Sequence, residues 1–289
     1  MEPEVMTTYE EIALLPAKVR QIYKEFGKKI APDSDLEKYL SLCEGVVEKV
    51  ALMGEKELID VHRAQRIFLA LVQCNEKLED SEEKKEFKSS LSQIAANSLD
   101  PQTPGGSHAL NMIFELDFLQ YVRHRGLKAR LGEPDIVISA PFGNYYVACK
   151  TINSLSNLGT HLEKGSAQIT RNGFGVVALN LEPHLCFEEP FEAQTVHEVC
   201  VAIDRHLKAL YENHEQLINQ HLASGDFDGV TLQMSCIAKV AGGSSDLDTV
   251  THNVYYSRSN LQCKDSRDRF DGFSQTMRGD LSHQYGSLN

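Results

Sequence analysis

Three polar residues, far apart in the chain, carry most of its chemical potential: Glu115, Asp135 and Lys150. Glu115 lies in a helical pattern with Met112, Phe118, Leu119 and Val122 at i−3, i+3, i+4 and i+7, which puts its carboxylate on the apolar stripe. An acid there is costly unless it is paired, hydrogen-bonded or bound to a cation. Asp135 follows Glu133-Pro134 at the mouth of a strand-like run, where the proline blocks ladder pairing and fixes the entry into the strand. Lys150 closes the apolar run Val147-Ala148-Cys149. The strand period of two puts Tyr146, Ala148 and Lys150 on one face and Tyr145, Val147 and Cys149 on the other. Taken singly, each has an ordinary reading: Glu115 pairs with an arginine, Asp135 is a turn residue, and Lys150 snorkels to water.

The elements that must position these residues are legible as pattern. Residues 8 to 98 read as helical, with apolar residues at helical spacing from Asp35 to Met53 and from Lys56 to Leu78, and a third helix capped by Ser81 running to Ala96. The breaker cluster from Asp100 to Ser107 is the best linker, dividing a helical region (1–100) from an α/β domain (105–258). Beyond it the pattern predicts a helix from Ala109 to Arg125, strands over Asp135 to Ala140 and Tyr145 to Thr151, and a short helix from His161 to Thr170. A strand over Gly175 to Leu181, a long helix from Ala193 to Leu222, a strand over Val230 to Val240 and another near Val254 to Ser257 complete it. Residues 259–289 show little apolar periodicity and read as a flexible or partner-ordered tail.

The order of parts (core-facing helical Glu115, Pro134-Asp135 opening a hairpin, an apolar strand ending in Lys150, then helix and buried strand) resembles the restriction-endonuclease-like PD-(D/E)xK nucleases over about residues 109 to 181. The resemblance implies a mixed central sheet flanked by helices, here preceded by the helical region. It implies a metal-dependent phosphodiesterase acting on DNA, with RNA left open, in a defence or repair context. Glu115 and Asp135 would bind Mg2+ or Mn2+, and Lys150 would assist the water. The residue two before the lysine is normally Asp or Glu in that family and is Ala148 here, which weakens the metal site. Some members supply a glutamate from the next helix instead, and Glu163 stands thirteen residues after Lys150. Thr160-His161-Leu162-Glu163 also fits a capping box, with Glu163 turned back to the N-cap amide. Lys164 and Gln168 share a helical face and, with Arg171 and Arg130, are the nucleic-acid-binding candidates.

Composition limits the alternatives. Net charge is −12, unusual for a DNA-coating protein. Yet residues 121 to 171 hold seven basic residues (Arg123, Arg125, Lys128, Arg130, Lys150, Lys164, Arg171) against three acids (Glu133, Asp135, Glu163), a candidate phosphate-facing patch. The seven cysteines form no CxxC pair and read as reduced thiols in a cytoplasmic protein. No run approaches the roughly 20 apolar residues of a membrane span. The N-terminus lacks a secretory h-region. Two readings compete with the nuclease: a degenerate nuclease fold used for binding or assembly, and a helical interaction protein whose α/β part mimics the motif. Dimerisation through the helical region is expected in the first of the three, because such nucleases commonly act on two strands.

Overall fold

A computed structural model describes residues 8–100, 103, 106–186, 189–224, 227–241, 247–257 and 263–279. The helical region forms α1 (Tyr9–Glu25), α2 (Asp35–Glu44), α3 (Val46–Lys49), α4 (Glu55–Glu76) and α5 (Ser81–Ala96). Their starts follow from capping chemistry. Thr8 and Glu11 form a reciprocal capping box on α1, and Ser34 caps α2. Asp80 caps α5, so Ser81 is its first residue rather than its cap. The helix expected from Asp35 to Met53 is broken at Gly45.

The α/β part follows as α6 (His108–His124), β1 (Ala129–Leu131), β2 (Ile136–Ala140), β3 (Gly143–Thr151), α7 (Leu158–Asn172), β4 (Phe174–Asn180), β5 (Phe191–Ala193), α8 (Val196–Ser224), β6 (Gly229–Val240), β7 (Asp248–Tyr256) and α9 (Lys264–Arg278). The sheet is mixed, in the order β1-β2-β3-β4-β6-β5, with β7 paired to β6. β1, β2 and β3 are antiparallel neighbours, β3 and β4 are parallel, and β4 and β5 both run parallel to β6. The short strands β1 and β5 were not anticipated, because three residues carry too little periodicity to register. The expected tail holds α9 instead. Its Phe270, Phe273 and Met277 make an apolar stripe, all three are buried, and the Tyr121 hydroxyl donates to the Met277 carbonyl at 3.0 Å. Residues 258–262 and 280–289 of that tail lie outside the described set.

The two faces of β3 divide the core as the alternation requires. Tyr145, Val147 and Cys149 join a cluster that includes Ile12, Phe68, Phe87, Phe118 and Phe273. Ala148 joins a second, with Leu162, Ile169, Val177, Ile203 and Leu232, under α7 and α8. The first cluster runs without interruption from α1 through α6 to β1–β4, so the linker-like stretch at residues 100–107 marks no gap in the packing. Among the described residues no helix is long and apolar enough to cross a membrane.

Candidate functional site at the end of β3

The β2–β3 hairpin delivers two of the three residues. Ile136 pairs with Val147, which sets the preceding residue, Asp135, beside the last turns of the β3 ladder. The Asp135 carboxylate accepts from the Cys149 amide at 2.6 Å and from Lys150 Nζ at 3.2 Å, and Lys150 Nζ also donates to the Cys149 carbonyl at 2.8 Å. Both side chains are largely buried, at 11% and 16% exposure. Lys150 is therefore not a snorkelling strand end. It lies across the aspartate at the C-terminal end of a parallel strand pair, where open α/β sheets form their ligand crevices.

Glu115 completes the group from α6. Burial holds its carboxyl well above the usual range, the neighbouring Asp135 charge raises it further, and Lys150 opposes both. Burial likewise pushes Asp135 up to about 6, against the opposing pull of Lys150 and the Cys149 amide. Two carboxylates are thus held together in a site where one ammonium does not relieve both, a pattern typical of functional sites. α6 is fixed in rotation by ion pairs on its other faces. Arg66 of α4 binds Asp117 at 2.8 Å and Glu182, just after β4, at 2.9 Å. Arg123 binds the fully buried Glu83 of α5 at 2.7 Å.

The remaining sequence candidates divide. Glu163 is exposed on α7. The capping box proposed for it does not form, because α7 begins at Leu158, three residues before the expected start, and Thr160 lies inside the helix. Among the described residues no three of His, Cys, Asp and Glu cluster to hold a metal ion, so Glu163 does not replace the acid missing at Ala148. Lys164 and Arg171 are exposed on α7, and Gln168 beside them is half-buried with its side-chain oxygen unpartnered. Arg130 is committed locally, to the Leu131 carbonyl at 3.0 Å and to Glu82 at 3.5 Å. The basic window is also less phosphate-facing than its count implies: Arg123 points inward to Glu83, and Arg125 stacks over the Tyr121 ring. All seven cysteines are free.

One residue escaped the sequence reading. From sequence, His161 figures only within the capping-box pattern Thr160-His161-Leu162-Glu163. Starting α7 at Leu158 puts Leu158, Leu162, Gly165 and Ile169 on the buried stripe and His161 at its flank. There its Nδ1 is buried without a hydrogen-bond partner. The apolar spacing from Leu158 was the available signal.

No protein-family model matches this chain, and no curated protein or solved structure matches it either.

Proposed function

We propose that the protein is a metal-dependent nucleic-acid phosphodiesterase with a restriction-endonuclease-like core, acting on DNA. The observation that carries this reading is the meeting of Glu115, Asp135 and Lys150 at the end of β3, from a helix, a hairpin mouth and a strand. The donor set suits a hard cation. Two carboxylates destabilised by burial, Glu115 also by the Asp135 charge, gain most from Mg2+ or Mn2+, and the Cys149 carbonyl adds a neutral oxygen. A bound divalent ion would polarise the phosphate and ease deprotonation of water. Lys150 holds the adjacent charge in place, and the Arg66–Asp117–Glu182 bridge keeps α6 turned so that Glu115 stays in the group. The exposed Lys164 and Arg171 offer contacts to the backbone of a bound strand.

A second reading has its own support. Ala148 is fully buried among apolar residues where the family places an acid, which favours a degenerate nuclease fold used for binding or assembly. Nicking of supercoiled plasmid in Mg2+ or Mn2+, lost in both Asp135→Asn and Lys150→Ala, supports the enzyme. Oligonucleotide binding without any cleavage supports the binding module. Dimerisation through the helical region belongs to the proposal as well, and sedimentation of the full chain tests it.

A further inference from the structure

We propose that His161, rather than Glu163, is what α7 contributes to the Lys150 site, and that the imidazole and the Lys150 ammonium together seat one phosphate oxyanion. The placement follows from the register between α7 and the sheet. A side chain on Gly165 would meet Val177 of β4, and Ile169 reaches over Gly175, so four residues forward along α7 correspond to two residues back along β4. Four residues of helix rise about 6 Å and two of strand about 6.6 Å, so the match persists along the element. One step the other way sets His161 over Leu179, and Leu179 is the direct partner of Lys150 on β3. Glu163, two residues on and some 200° around the helix, faces away, as its exposure requires.

The hydrogen-bond inventory at this point is incomplete in a matching way. Lys150 has three N–H donors, and its two acceptors, Asp135 and the Cys149 carbonyl, use two of them. His161 is partly buried and its Nδ1 lacks a partner. Burial and the flanking Lys150 and Lys164 charges lower the His161 pKa, which keeps the ring neutral near pH 7 with one N–H to donate. Glu115 and Asp135 also interact with Lys150, and an anion would take the ammonium's remaining donor.

This deepens the phosphodiesterase reading and takes its substrate class from it, yet its test needs no cleavage. Inorganic phosphate and the dinucleotide TpT are titrated into the full-length protein without added metal, following the histidine Cε1–H resonances by NMR. His161→Gln identifies the resonance. Saturable movement of that resonance, with affinity at least threefold weaker in Lys150→Gln, is expected. A seat for free phosphate responds to phosphate alone, and a seat for the nucleic-acid backbone responds to TpT. A His161 signal unmoved by both probes overturns the assignment, as does an equal loss of affinity in Lys164→Gln, which would reduce the seat to general surface charge. If phosphate binds at His161 while plasmid is never nicked, the nuclease reading fails and the seat stands. If nicking depends on Asp135 while the resonance stays still, the seat alone fails.

Discussion

Asp135→Asn removes a charge that the fold holds at a cost, so the substitution should stabilise the protein while abolishing its proposed activity. Burial raises the Asp135 pKa from 3.8 to about 6. For a carboxyl whose folded pKa exceeds its unfolded value, the stabilising contribution is full below the unfolded pKa and is lost as pH rises through the folded one. At pH 7.5 the wild type therefore carries the whole penalty, and near pH 4 it carries almost none. About two pKa units at about 1.4 kcal/mol each give a ceiling of about 3 kcal/mol. Titration of Glu115 in the same group shares part of this, so a gain of about 1–2 kcal/mol is expected. For a chain of this size that is a rise in Tm of about 2–3 °C. Scanning calorimetry of wild type and Asp135→Asn at pH 7.5 and pH 4 reads it directly. The reasoning fails if the variant is less stable than wild type at pH 7.5, or if the gain is the same at both pH values.

Lys150→Ala leaves two buried carboxyls with no cation and should cost about 1–3 kcal/mol, more above pH 6 than below it, in urea unfolding across that range. Ala148→Glu puts an acid on the Lys150 face, under the packed α7. It should tighten Mn2+ binding in calorimetric titration and lower stability by about 1–3 kcal/mol, and unchanged metal affinity would argue against that geometry. Gly175→Ala would set a methyl group 1.9 Å from the Tyr146 carbonyl oxygen, so β3 and β4 must part, with a loss of about 3 kcal/mol or failure to accumulate as folded protein. Phe273→Ala, in the last helix, should cost about 3–5 kcal/mol because the ring is fully buried, and a loss below 1 kcal/mol would mean α9 is not part of the core.

The parts of the molecule that could be read from sequence are those where one physical signal dominates. Long apolar stripes gave α4 and α6 and, without the break at Gly45, the α2–α3 region, and the period of two on β3 separated Ala148 from Val147 and Cys149. The proximity of Glu115, Asp135 and Lys150 was what the family resemblance implied; taken locally, only Glu115, an acid on an apolar stripe, stood out. What sequence could not supply was rotational phase. Glu163 was weighed by its distance from Lys150 along the chain, but a start three residues earlier puts His161 beside the sheet and Glu163 in solvent. The basic window misled for a related reason: charge counting does not distinguish Arg123, which faces Glu83 inside the protein, from Lys164, which faces out. Three apolar residues in α9 were too few to outweigh the polar composition around them.

The single apolar cluster joining α1–α6 to β1–β4 has a practical corollary. Cutting the chain within its proline- and glycine-rich stretch, residues 100–107, would divide that cluster. A fragment starting near residue 106 would present the inner sides of β2 and β3 to water. Whatever chemistry the β3 end performs, the amino-terminal third is packed into the same core as β3 and is not a detachable reader.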